Sequence, residues 1–167
     1  QHYDNQAQFT MYQSYSRKDV CRLLNWEKDV SAPLYGYRVT DEVCPIFITY
    51  HKSDDEHQRS ARYQNDFTAN SVIKWYTRSP RHLTSDEVQK LLRGVDQGKQ
   101  QTRIEIFIKR NDAAGKEFSY VGEGEIIPGS AHEEKIASNQ GREKTVVAME
   151  IRLKTPLTLA AAQKITD

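Results

Sequence analysis

Between residues 44 and 157 the chain carries five runs that read as β-strands: CPIFITYHK, SVIKWYT, TRIEIFIKR, EFSYVGEGEII and KTVVAMEIRLKTPL. A doubly wound parallel sheet needs a long crossover helix between most of its strands. Here the strands cluster instead. In TRIEIFIKR, Ile104, Ile106 and Ile108 share one face; in SVIKWYT, Ile73, Trp75 and Thr77 face one way and Val72, Lys74 and Tyr76 the other. Ile46, Ile48, Tyr50 and Lys52 likewise oppose Phe47, Thr49 and His51, with Pro45 at the strand start, where a missing N–H is tolerated.

Two short helices complete the pattern. Ser16 followed by Asp19 reads as a capping box, and Val20, Leu23 and Leu24 fall at amphipathic spacing, so a helix is expected over about 17–26. The second is expected over about 85–93, with Thr84 as cap, Glu87 completing its box, Val88, Leu91 and Leu92 as its stripe and Gly94 ending it. The run PGSAHEEKIASNQGRE, polar and glycine-containing, reads as a linker. The expectation is therefore α+β: a half-open, mostly antiparallel β-barrel of five to six strands with the helices at its rim.

With 167 residues, the chain has room for a single domain, 1–167, and its opening on Gln1 without an initiator Met suggests a piece of a longer protein. Its 24 basic residues nearly balance 23 acidic ones, for a net charge of +1, so attraction to a polyanion must come from local placement. Cys21 and Cys44 lack metal-knuckle or disulfide spacing and read as buried thiols. No signal peptide, long apolar run or lipidation motif supports secretion or membrane insertion, which leaves a cytoplasmic location as the expectation.

In order along the chain, YSRKDVCRLLNWEKD, YGYRV, CPIFITYHK, the W-x-T-R-S-x-R core at Trp75–Arg81, IFIKRND and FSYVGEGE resemble a bacterial domain of unknown function. That family is found at the C-terminal end of DEAD/DEAH-box helicases, often behind a phospholipase-D-like nuclease domain, in restriction and defence-type proteins. The resemblance covers nearly the whole chain. It implies a C-terminal recognition module, with helicase and nuclease domains of the same chain as partners, and by analogy a PUA/SRA-like fold of the kind that reads flipped or modified bases.

The residues themselves point the same way. Recognition of nucleic acid needs cations for phosphates and aromatic faces for unstacked bases. WYTRSPRH supplies both: Arg78, Arg81 and His82 for phosphates, Ser79 as a hydroxyl donor, and Trp75 or Tyr76 for a base. The alternative is a packed Trp75 and a solvated arginine turn at the sheet edge. His51 and Lys52 end a strand, and would form one basic rim with Arg78 and Arg81 if the two strand ends lie side by side. Tyr35, Gly36, Tyr37 and Arg38 offer aromatic faces beside an open backbone, or equally a turn with packed tyrosines. Ala32, Pro33, Tyr35 and Tyr37 could line a pocket for a methylated base or a sulfur atom.

Enzymatic chemistry finds little in the sequence. HKSDDEH resembles a metal site only superficially, because its residues fall in an expected loop instead of on rigid elements. There is no nucleophile elbow, phosphate-cradling glycine loop or cysteine with a placed base. The expected protein is a DNA-binding recognition module of a defence helicase, reading a modified base or a phosphorothioate backbone. It has no catalytic role, cofactor or metal of its own. The alternative is a protein-interaction or regulatory domain that docks on its own helicase.

Overall fold

A computed structural model describes residues 9–24, 36–51, 72–111, 117–137 and 141–156. Seven strands and two helices occur among them: β1 (Ser14–Ser16), α1 (Arg17–Leu23), β2 (Val43–His51), β3 (Val72–Tyr76), α2 (Asp86–Leu92), β4 (Arg103–Asn111), β5 (Glu117–Ile126), β6 (His132–Ala137) and β7 (Glu143–Leu153). The strands form one mixed sheet in the order β2-β4-β5-β7-β3, with β1 added on β5 and β6 on β7. Among the described residues the sheet is not closed by backbone pairing, so the expected barrel of five to six strands gives way to an open, seven-stranded sheet.

One pairing departs from the antiparallel expectation: β2 and β4 run parallel, from Val43↔Arg103 to His51↔Asn111. Parallel neighbours need a long crossover, and the chain between them supplies it, containing both β3 and α2. Strands buried on both faces carry apolar residues at successive positions. Accordingly Cys44, Ile46, Ile48, Ile104, Ile106 and Ile108 enter one core, while Val43, Phe47 and Phe107 enter a second. Helix α1 brings Val20, Cys21 and Leu24 to the second core, and α2 brings Val88 and Leu91 to the first. Both cysteines are free and buried.

The capping box at α1 forms as the sequence indicates, with the Ser16 hydroxyl accepting from the Asp19 N–H and the Asp19 carboxylate from the Ser16 N–H. Helix α2 departs from its expected start. Ser85, not Thr84, is the N-cap, and no side chain caps it. The Glu87 carboxylate turns away from the helix end to partners described below. At the other end Gly94 takes φ +77°, where an added Cβ would lie 2.0 Å from the Lys99 carbonyl oxygen.

The run read as a linker contains β6. Ala148 of β7 pairs with Tyr76 of β3 and with His132 of β6, so these two flank opposite edges of β7. Strand β6 alternates exposed and half-buried residues and packs only Ile136 against the core, which explains why its sequence shows no strand signal. Gly124 marks a close approach in β5: a Cβ there would come 2.5 Å from the Ile151 side chain.

Candidate nucleic-acid interface

Strand directions decide which of the singled-out residues can meet. β4 runs with β2, β5 against β4, β7 against β5, and β3 against β7. The C-terminal end of β3 therefore lies at the opposite end of the sheet from that of β2. His51 and Arg78 do not share a rim. Nine residues of β2 separate the two ends, a length on the order of 25–30 Å. Lys52, with Ala32, Pro33 and Tyr35, lies outside the described residues.

Tyr37, Trp75, Arg78, Ser79 and Arg81 do come together. The segment Gly36–Arg38 runs along the free edge of β2: the Phe47 N–H donates to the Gly36 carbonyl at 2.6 Å, the Arg38 N–H donates to the Pro45 carbonyl at 3.4 Å, and Tyr37 bridges to Ile46. Gly36, at φ +93°, turns the backbone into this position. At the other end of the sheet order, β3 presents Trp75. The Tyr37 and Trp75 rings meet edge to face with centroids 4.8 Å apart. Side chains thus bridge the two margins that no backbone ladder joins.

Trp75 is 4% exposed and Tyr76 6%, so both are core residues and neither offers an open face to a base. Tyr37 is 3% exposed and belongs to the same core. Its hydroxyl donates to the Glu87 Oε1 at 2.5 Å and accepts from the Arg78 N–H at 3.0 Å. Burial first, then the Glu87 hydrogen bond, pushes the Tyr37 hydroxyl well above the ordinary tyrosine range, so it remains a donor.

The two arginines are placed differently. Arg78 folds inward, its guanidinium carbon 4.0 Å from the centroid of the Tyr37 ring and its Nη2 donating to the Tyr37 carbonyl. Its Nε is buried without a hydrogen-bond partner. Arg81 stays at the surface, with its side chain 27% exposed. Its Nε donates to the Glu87 Oε1 at 2.6 Å, its Nη1 to the Pro80 carbonyl at 2.7 Å, and its backbone N–H to the Thr145 carbonyl at 2.9 Å. Two N–H groups on Nη2 keep no partner among the described residues.

The loop that carries these residues is tied down along its length. Thr77 exchanges bonds with Val147: its N–H donates to the Val147 carbonyl, and its hydroxyl accepts from the Val147 N–H. Ser79 and Pro80 are joined by a cis peptide. The His82 N–H donates to the Ser85 hydroxyl, and Glu133 of β6 accepts from the Leu83 N–H while lying 3.6 Å from the His82 ring. Helix α2 is anchored at its far end by the buried Thr102 hydroxyl, which donates to the Lys90 carbonyl at 3.2 Å. Glu87 was legible in the sequence only as a cap; its role here depends on Tyr37, 50 residues away, which no local pattern encodes.

Among the described residues, no group of three or more His, Cys, Asp or Glu is placed to hold a metal. The HKSDDEH run lies beyond them from Lys52 onward. No helix among them is long and apolar enough to cross a membrane.

The fold and its bridged margin define an α+β sheet domain with a partly basic loop, tied down by hydrogen bonds, that follows β3. The chain belongs to the family described as a domain of unknown function, DUF3427, whose model matches residues 9–165. No curated protein matches it in sequence. Its fold is similar to that in a structure of the sulfur binding domain and SRA domain of ScoMcrA complexed with phosphorothioated DNA. That likeness has a TM-score of 0.52 at 7% identity, covering 95% of this chain and 45% of that one. The DNA modification-dependent restriction endonuclease AspBHI matches with a TM-score of 0.49 at 14% identity, over 77% of this chain and 36% of that one. The MspJI restriction endonuclease in complex with a 27-mer oligonucleotide matches with a TM-score of 0.49 at 9% identity, over 71% and 32%. The chain spans less than half the length of each of these structures.

Proposed function

We propose that the domain is a DNA-recognition module of a modification-dependent, restriction-type protein, and that Arg81 supplies a phosphate contact. The observation that carries this reading is the placement of Arg81. Its guanidinium is fixed by Glu87 and Pro80, yet remains partly exposed with two unengaged N–H groups, the arrangement that suits a phosphate oxygen. The fold likeness over 95% of the chain to a structure complexed with phosphorothioated DNA supports it. Arg78 and Trp75 serve this site from behind, as supports for Tyr37.

Phosphate contacts position a protein but do not tell one DNA from another. Discrimination falls to a shaped pocket, which we assign to Ala32, Pro33 and Tyr35, the residues that lead into Tyr37 in the sequence. His51, at the other end of the sheet, belongs to a separate contact. In the full-length protein, helicase and nuclease domains would act on what this module selects. Among the described residues the exposed large hydrophobics are Tyr12 and Leu23.

The test is a binding panel of plain, base-methylated and phosphorothioated duplexes at two salt concentrations. One modified duplex should bind at least about tenfold tighter than its plain counterpart, equivalent to roughly 1.4 kcal/mol. Pro33→Ala or Tyr35→Ala should erase that ratio and leave the salt-sensitive background. Equal binding of all duplexes, or none, would move the domain to the docking class.

A further inference from the structure

The Glu87 carboxylate is an odd neighbour for a phosphate site. A bystander acid beside a bound phosphate repels it, and its removal would tighten binding. Yet Glu87 Oε1 joins three elements: it accepts from Tyr37 on the β2 margin and from Arg81 on the loop, while its own backbone sits in the first turn of α2. The Glu87 side chain is 20% exposed and the Arg81 side chain 27%, so the pair lies at the surface without being fully solvated.

We infer that Glu87 is a positioning residue for DNA binding, which holds the Arg81 guanidinium in the orientation that leaves its Nη2 edge open to a phosphate. The inference rests on the reading of Arg81 given above and adds to it the group that makes this arginine rigid. Arg81 has five N–H donors. The Nε–H is taken by Glu87 and one Nη1–H by the Pro80 carbonyl, so two points fix the plane of the guanidinium. Without Glu87 the side chain would pivot about the Pro80 contact and would have to be ordered again on each binding event. Tyr37 fixes Glu87 in turn, and the Arg78 N–H fixes the Tyr37 hydroxyl. The acid is therefore retained for geometry against its own electrostatic cost.

The experiment uses the 167-residue chain and the modified duplex that binds best, with Arg81→Ala, Glu87→Ala, Glu87→Gln and the Arg81→Ala/Glu87→Ala double variant. Thermal unfolding of each reports whether it is folded. Glu87→Ala should weaken binding, on the order of tenfold, although it makes the protein more positive, and should lower the salt slope by about one, as Arg81→Ala does. Glu87→Gln keeps an acceptor oxygen and should bind within about threefold of the parent. The double variant should bind no worse than Arg81→Ala alone, because Glu87 acts only through Arg81. If Glu87→Ala does not fold, Glu87→Asp, which withdraws the carboxylate by one methylene, carries the same expectation. Glu87→Ala binding as tightly as the parent or tighter, or a double variant weaker than Arg81→Ala by the full Glu87→Ala factor, would overturn the inference and leave the DNA reading intact. A parent protein that binds no duplex would overturn both.

Discussion

Among the described residues the same three-residue arrangement occurs twice. At the bridged margin, the Tyr37 hydroxyl and Arg81 Nε both donate to Glu87, at 2.5 and 2.6 Å. Beside the second core, the Tyr120 hydroxyl and Arg103 Nε both donate to Glu105, at 2.7 and 3.0 Å. The chemistry is alike, but the setting is not. Glu105 has a side chain only 3% exposed, and it links neighbours on the β4–β5 pair. Glu87 is 20% exposed and links residues that are distant in the chain, at a place where the sheet is not joined by backbone. The two arginines are exposed alike, Arg103 at 22% and Arg81 at 27%, so the difference lies in the acid. A buried Glu105 serves the fold; Glu87 is in reach of solvent, beside an arginine whose Nη2 has no partner among the described residues, and can serve a ligand as well, which is why we place function at one and stability at the other.

The comparison breaks most visibly through stability. Glu105→Ala leaves the buried Tyr120 hydroxyl without its acceptor beside the second core, and should cost about 3 kcal/mol in denaturant unfolding. Duplex affinity, corrected for the folded fraction, should not change. Arg81→Ala should show the reverse: a loss of binding with a stability change under about 1 kcal/mol, because its ion pair is partly screened by solvent. Comparable stability losses in both would erase the distinction.

Tyr37→Phe sharpens it. The substitution removes the donor to Glu87 and the acceptor for the Arg78 N–H, and should cost about 1–2 kcal/mol of stability. It should also weaken binding, by less than Arg81→Ala does, since Arg81 keeps both of its own contacts. Titration of the parent against Tyr37→Phe by unfolding and anisotropy in parallel separates the two effects.

The smallest expected effect is a pH dependence of the interior set. Burial raises the Glu105 carboxyl above its ordinary 4.5, with the Tyr120 and Arg103 bonds pulling against it. A proton held more tightly in the folded state favours folding below that ordinary value, and this contribution is lost as pH rises through the raised one. The stability difference between the parent and Glu105→Gln should therefore shift against the parent as pH rises through that window. A difference independent of pH would mean that Glu105 is not shielded as described.

What was legible in the sequence followed the range of each interaction. The Ser16–Asp19 capping box and the Ile104–Ile106–Ile108 face depend on neighbours within a few residues, and the structure has both. Glu87 looked like the partner of a cap by the same local logic, but Tyr37 and Arg81 offered it two strong donors and the helix end did without. Strand β6 carries charge on its exposed positions and pairs with β7 alone, so its alternation is almost all polar. The direction of β3 could not be read locally at all. It is set by pairing with β7, and it sends Arg78 and His51 to opposite ends of the sheet.

The central claim is that the surface set, and not the interior one, meets DNA. The arginine Nε–H signals of Arg81 and Arg103 report on each directly in a ¹H–¹⁵N spectrum, followed as the best-binding duplex is added. The Arg81 signal should move with duplex concentration and saturate with the binding curve, while the Arg103 signal stays where it is. Saturable binding in which the Arg81 signal does not move would place the DNA elsewhere on the domain and contradict the account.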